Sequence, residues 1–119
     1  MRDHWQLRAF QLTDEVALDV YRISKDFPKD ELYGLTSQIR RAAVSAASNI
    51  VEGCSRESIK EYLRFLEIAF GSVRELNYQW SLATRLDYHP KKEMESCQNK
   101  IIETEKVLGA LVRKIRDYC

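Results

Sequence analysis

A run of small residues within positions 35–53 constrains the fold more than any other part of the chain. The segment reads LTSQIRRAAVSAASNIVEG, and six alanines and serines between positions 42 and 48 have almost no side-chain bulk. Neighbouring helices can therefore approach its backbone closely. Gly53 is well placed to end this helix in the left-handed conformation that glycine adopts readily. The segment predicts a tightly packed helix ending at Gly53, in an all-α fold.

The composition is that of one globular domain spanning residues 1–119. With 45% apolar and 31% charged residues, the chain can bury a hydrophobic core and differs from disordered sequences. Only four glycines and two prolines signal turns, which favours a few long helices. The net charge of +1 excludes a strong overall field that would draw the chain to nucleic acid or to an anionic membrane.

Apolar residues recur at spacings of three and four in four segments, which indicates four amphipathic helices. Prolines at positions 28 and 90 separate helices, because proline disfavours helical geometry in the residue before it. Ser58 and Glu61 have the spacing of a capping box at a helix start. We predict helices at about 5–27, 33–52, 58–87 and 90–118. Short connections favour an up-down-up-down antiparallel four-helix bundle.

Three of these helices have apolar residues outside the stripe expected to form the core. They are Leu7, Phe10, Leu18 and Tyr21 on the first, Val44, Ala47 and Val51 beside Arg40 on the second, and Ile68, Tyr78, Leu82 and Leu86 on the third. Isolated apolar residues are ordinary on the surface of a monomer. Their clustering on three helices favours buried contacts between subunits. We predict a homo-oligomer.

The chain has no recognisable catalytic or metal-binding motif. His4 and His89 lack partners at metal-ligand spacing, no glycine-rich phosphate loop occurs, and no serine has a histidine nearby in a nucleophile motif. We therefore predict no cofactor, no metal and no enzyme activity. Cys54, Cys97 and Cys119 are odd in number and have no redox spacing. With no secretory or membrane segment at the N-terminus, we expect a cytoplasmic protein with reduced thiols and no membrane partner.

Asn77 and Glu105 fall on the predicted core faces of the third and fourth helices. One interpretation is a small-molecule or catalytic site inside the bundle. The other is structural: a polar residue that fixes helix register, or a glutamate whose carboxylate reaches the edge of the bundle to pair with an arginine. The sequence leaves both open.

Basic residues form modest clusters that are candidates for RNA or DNA phosphate contacts. They are Arg40, Arg41, Arg56, Arg113, Lys114 and Arg116. Adjacent residues on a helix point about 100° apart, so Arg40 and Arg41 cannot form a single fork. The alternative is that these side chains are solvated and pair with nearby carboxylates, and the low net charge favours that reading.

One set of residues closely resembles a known family. The residues are Phe27-Pro28, Glu31, Tyr33-Gly34-Leu35-Thr36, Gln38, Arg40-Arg41-Ala42, Ser45, Asn49-Ile50, Glu52-Gly53, Ser58, Lys60-Glu61, Phe65-Leu66, Ala69 and Gly71-Ser72. The pattern resembles the 23S rRNA intervening-sequence proteins, and it is dense from Phe27 to Leu76.

That resemblance implies a bacterial four-helix bundle that assembles as a ring-like homopentamer and whose function is unknown. It also implies a relation to the accessory variability protein of diversity-generating retroelements, a basic pentamer that binds a reverse transcriptase and nucleic acid. This chain lacks that strongly basic character. We therefore expect an interaction or scaffold module, with RNA, DNA or a nucleic-acid enzyme as candidate partners.

Overall fold

A computed structural model describes residues 2–119, which contain four α-helices and no strand. The helices are α1 (Arg8–Ser24), α2 (Leu35–Cys54), α3 (Ile59–Arg85) and α4 (Lys91–Arg116). Single 3-10 turns lie at His4–Gln6, before α1, and at Lys29–Glu31, between α1 and α2. The predicted all-α fold and the four helices are confirmed.

The helices form an antiparallel bundle of 43 × 23 × 20 Å. Each helix packs against its neighbours in the chain, and α4 closes the bundle against α1. Cross-helix ion pairs show the direction of packing. Arg8, at the start of α1, pairs with Glu103 in the middle of α4, and Arg22, near the end of α1, pairs with Glu93 early in α4. The bundle therefore runs up-down-up-down.

The core consists of the apolar stripes that the sequence predicts, and its interior is closed. Trp80 is fully buried, and its indole Nε1 donates to the Met94 carbonyl at 2.9 Å, which joins α3 to the first turn of α4. A central void lies between residues such as Val16, Ala43 and Leu76, but it has no room for a water molecule. Close packing of this kind explains the small residues of α2.

The first helix is shorter than predicted because its N-terminal segment folds back. The Asp3 side chain accepts from the Trp5 backbone N–H at 3.0 Å and fixes a 3-10 turn before α1 begins. In this turn the rings of His4 and Trp5 cover Phe10, which is only 5% exposed. The prediction that Phe10 lies outside the core was therefore wrong, since a non-helical segment buries it.

Gly53 also differs from the prediction, because it lies inside α2 and has a negative φ. A side chain would be crowded there. A Cβ at Gly53 would lie 3.0 Å from the Phe65 Cβ and 3.3 Å from the Tyr62 ring. Glycine at this position thus allows α2 and α3 to approach each other, and the left-handed conformation is instead adopted by Asp87 after α3.

The predicted start of α3 is confirmed at its cap. The Ser58 Oγ accepts from the Glu61 backbone N–H at 3.3 Å, which satisfies one of the free donors at the helix N-terminus. Pro90 immediately precedes α4, where its lack of an N–H costs nothing.

Candidate interaction surfaces

An apolar surface follows the groove between α1 and α2, and we call it the α1/α2 face. Its exposed members are Leu18, Tyr21, Val44 and Val51, and Leu18 is 67% exposed. Arg40 lies beside them, where its Nε donates to the Ser24 Oγ at 2.8 Å and its guanidinium lies 4.9 Å from the centre of the Tyr21 ring. The polar contact fixes Arg40 between the two helices.

The other predicted members of this surface are less accessible. Leu7 and Ala47 are half-buried and pack against the core, and Phe10 belongs to the core itself. Only the four exposed residues therefore offer area to a partner.

A second apolar surface, which we call the α3 edge, consists of Ile68, Tyr78, Leu82 and Leu86. Tyr78 is 62% exposed, Ile68 and Leu86 are also exposed, and Leu82 is half-buried. Ser72 lies one helical turn after Ile68, and its hydroxyl is 2.9 Å from that of Ser45 on α2. Ile68 therefore lies on the side of α3 towards α2, while Tyr78 is directed to solvent.

Asn77 and Glu105 do not face the interior of the bundle. Both are half-buried, in a groove of about 360 Å³ between α3 and α4 that Asn77 lines. The Asn77 amide donates to Glu105 Oε1 at 3.0 Å, and Gln98 donates to Asn77 Oδ1 at 2.5 Å. Arg74 lies 3.8 Å from Glu105. This geometry matches the structural interpretation, in which the carboxylate pairs with an arginine at the edge of the bundle.

The predicted basic residues separate into two groups. Arg56 follows α2, and Arg113, Lys114 and Arg116 lie in the last turn of α4, so the antiparallel packing brings these four to one end of the bundle. We call this the basic end. Arg40 and Arg41 lie instead in the first half of α2, towards the opposite end.

Two cations of the basic end are already paired. Arg56 lies 3.0 Å from Glu52, and Arg116 lies 2.6 Å from Glu67. In residues 2–119, neither Arg113 nor Lys114 has a carboxylate within ion-pair distance, and both are exposed. Lys60 and Arg64, early in α3, add two further exposed cations at this end. The alternative interpretation, that the basic residues pair with nearby carboxylates, thus holds for Arg56 and Arg116 but not for Arg113 and Lys114.

The histidines and cysteines do not form a metal-binding group within the described residues 2–119. His89 contacts Glu93 at 2.9 Å and lies 3.5 Å from Asp26, which links the segment after α1 to the turn before α4. Cys54 and Cys97 are buried free thiols. Burial raises the pKa of both thiols, that of Cys97 to about 12, so both stay protonated and inert.

A recess at the corner between α1 and α2 was missed by sequence reasoning. Lys25, Lys29, Thr36 and Arg40 are among its lining residues, and its volume is about 90 Å³. The sequence feature that could have indicated the recess is the pair of lysines, Lys25 and Lys29, on either side of Phe27-Pro28. Periodicity could not reveal the recess, because the connecting segment that forms its wall is not helical throughout.

Comparison with known proteins identifies the family. Residues 5–110 match the family described as 23S rRNA-intervening sequence protein. The chain belongs to this family. The resemblance found in the sequence is thereby confirmed.

A solved structure supports the fold of this family member. It is the crystal structure of a protein with unknown function from the S23 ribosomal protein family of Bacteroides thetaiotaomicron VPI-5482. It superposes with a TM-score of 0.79 at 24% sequence identity, covering 88% of this chain and 95% of that chain. No protein with a curated description matches the chain. Among the described residues, no helix is long and apolar enough to cross a membrane.

Proposed function

We propose that this protein is a non-enzymatic, homo-oligomeric interaction module of the cytoplasm. In this proposal the α1/α2 face of one subunit packs against the α3 edge of the next, and the ring closes at the five subunits implied by the family resemblance. The single observation behind it is that one bundle exposes two different apolar surfaces, centred on Leu18 and Tyr78. Its reduced thiols suit the cytoplasm.

Two different surfaces favour a head-to-tail assembly. A twofold dimer uses the same patch on both subunits, whereas a ring joins one patch to a different patch on its neighbour. The α1/α2 face is formed by α1 and α2 and the α3 edge by α3, so the two surfaces share no helix. A head-to-tail contact gives a ring where the rotation between neighbouring subunits closes, and a filament where it does not.

The small residues of α2 and α3 also suit this packing. Gly71, on α3, is exposed, and a Cβ added there would meet nothing within 4 Å. Room of this kind allows a neighbouring subunit to approach the α3 edge. Burial of an apolar side chain such as Leu18 contributes about 1.5–3 kcal/mol to such a contact.

Complementary variants test the head-to-tail arrangement. Leu18→Glu disables the α1/α2 face and Tyr78→Glu disables the α3 edge, and neither touches the core because both residues are exposed. We expect each variant alone to be a monomer by light scattering. Mixed in equal amounts, they should form 1:1 dimers, because each retains the patch that the other lacks.

The matched control is Ile102→Glu, which places the same charge on an exposed apolar residue beside the α3/α4 groove, outside both surfaces. This variant should assemble like the natural protein. If Leu18→Glu or Tyr78→Glu alone still forms a dimer or larger species, the head-to-tail arrangement is wrong.

A second proposed function is binding of RNA or DNA phosphates by the basic end. The observation that favours it is the exposure of Arg113 and Lys114 without carboxylate partners in the described chain, beside Lys60 and Arg64. In an assembly with cyclic symmetry every subunit presents this end in the same way, so modest cation clusters are multiplied. Arg56 and Arg116 would contribute less, since they are paired with glutamates.

Salt-dependent binding tests this second function. The double variant Arg113→Glu/Lys114→Glu should weaken binding of a single-stranded RNA and reduce the dependence of its affinity on salt concentration. The control is Lys91→Glu/Lys92→Glu, which makes the same charge change at the opposite end of the bundle. Equal losses in both double variants, or no binding by the natural protein at low salt, would contradict a site at the basic end.

A further inference from the structure

The recess between α1 and α2 combines positive charge with a small volume. Lys25 and Lys29 come from the connection between the helices, and Arg40 comes from the second turn of α2. Ser24 and Thr36 add hydroxyl groups to the wall. A volume of about 90 Å³ is large enough for a small ion.

Among residues 2–119, no carboxylate lines this recess, although three occur in the same segment. Glu31 is directed elsewhere, since it accepts from the Tyr88 hydroxyl and from the Leu35 backbone N–H. Asp26 lies 3.5 Å from His89, and Asp30 is exposed. In the described chain, none of the three cations around the recess therefore has a carboxylate within ion-pair distance.

Of these cations, Arg40 gives the strongest evidence for a bound anion. It is half-buried, and its one hydrogen bond uses Nε, which donates to Ser24. Within residues 2–119 its two terminal NH₂ groups have no acceptor and no ion-pair partner. The planar donors of an arginine match phosphate and carboxylate oxygens.

Thr36 provides an independent observation. The residue is 2% exposed, and its hydroxyl is buried without a hydrogen-bond partner in the described chain. A buried hydroxyl left unpaired costs about 1–3 kcal/mol, so such groups are normally satisfied by a ligand or water. Thr36 also lies in the first turn of the 20-residue α2, where the helix dipole favours negative charge.

We propose that this recess binds a single phosphate group, either inorganic phosphate or the terminal phosphate of a larger molecule. Lys25, Lys29 and Arg40 supply the positive charge, and the Thr36 hydroxyl supplies a neutral donor. The site lies beside the α1/α2 face but is formed within one subunit. It therefore does not depend on the proposed assembly or on the basic end.

Isothermal titration of the full-length protein with sodium phosphate, at an ionic strength held constant with chloride, tests the proposal. We expect saturable binding with one site per chain. Lys25→Gln/Lys29→Gln should weaken it roughly tenfold or more, since each lost charge-assisted contact is substantial. The control Lys91→Gln/Lys92→Gln removes the same charge at the start of α4 and should bind like the natural protein.

Thr36 variants separate ligand binding from a merely structural role. Thr36→Val should weaken phosphate binding while leaving the protein as stable or more stable without phosphate, because it removes an unpaired buried hydroxyl. Thr36→Ser should restore binding. Absence of saturable binding by the natural protein, or equal losses in the two lysine double variants, would overturn the proposal.

Short RNA oligonucleotides identify the source of the phosphate. If a 5′-phosphorylated trinucleotide displaces inorganic phosphate and its unphosphorylated form does not, the site takes the end of a nucleic acid. If neither competes while inorganic phosphate still binds, the ligand is the free ion.

Discussion

Gly53 and Gly71 show how the same residue acts in two ways in this bundle. At Gly53 the Phe65 Cβ and the Tyr62 ring would lie unusually close to an added methyl group, whereas Gly71 has open space around it. We predict that Gly71→Ala raises the free energy of unfolding by about 0.5–1 kcal/mol, the usual gain in a helix.

Gly53→Ala should have the opposite effect. The same gain in helix propensity is outweighed by overpacking, which costs about 1–3 kcal/mol, so we expect a net loss of about 1 kcal/mol. Urea unfolding of both variants in the Leu18→Glu background measures this without contributions from subunit contacts. A more stable Gly53→Ala variant would show that α3 moves away easily and that the close approach is not required.

The three thiols should differ sharply in reactivity. Cys119 is exposed, while Cys54 and Cys97 are buried and have raised pKa values. We predict that a thiol reagent modifies Cys119 rapidly and the other two only after unfolding, and that Cys119→Ser removes the rapid phase. Rapid labelling of Cys97 in the folded protein would contradict its place in the core.

Some residues could be placed from the sequence and others could not. Thr13 and Trp80 follow the 3.6-residue period of the apolar stripes, and both are buried. Phe10 was misplaced because His4 and Trp5 cover it from outside any helix. Asn77 and Glu105 were assigned to the core face, and only the structure reveals that they meet each other at the edge of the bundle.

At the scale of elements, side-chain contacts join the connection between α1 and α2 to the turn between α3 and α4. The Tyr88 hydroxyl donates to Glu31 Oε2, and the Tyr88 ring packs against Phe27. The hydrogen bond from Tyr88, followed by that from the Leu35 N–H, lowers the pKa of Glu31. The same bond raises the pKa of Tyr88.

This contact should make stability depend on pH in the acid range. Because the Glu31 pKa is lower in the folded state, its contribution is complete above about pH 5 and is lost as pH falls through the lowered value. Tyr88→Phe should therefore be less stable than the natural protein at neutral pH, and the difference should shrink in acid. Urea unfolding between roughly pH 2.5 and 7 measures it.

Tyr33→Phe is the matched control for Tyr88→Phe. Tyr33 lies in the same connection but is 93% exposed, so loss of its hydroxyl should leave the pH profile unchanged. A constant difference between Tyr88→Phe and the natural protein at every pH would show that Glu31 titrates independently of Tyr88.

The element boundaries were predictable where a local signal fixes them. Ser58 caps α3 as its spacing with Glu61 indicates. The end of α1 at Ser24 came earlier than predicted, because the next residues form turns and a 3-10 helix that keep Phe27 buried. Apolar spacing alone cannot distinguish such a buried turn from helix.

At the scale of the whole molecule, the bundle followed from four apolar stripes and short connections. The exposed apolar surfaces were harder to predict from the sequence. Leu18 and Tyr78 were correctly expected outside the core stripe, and the structure exposes both. The recess around Arg40 was not foreseen, since it depends on how three segments meet at one corner.

The most direct test of the proposed assembly is the mass of the natural protein in solution. Sedimentation equilibrium at micromolar concentration should give a single species with five times the 14.0 kDa mass of the chain. The mass should persist at high salt, because the contacts between the α1/α2 face and the α3 edge are apolar. A mass equal to one chain across the micromolar range would contradict the account.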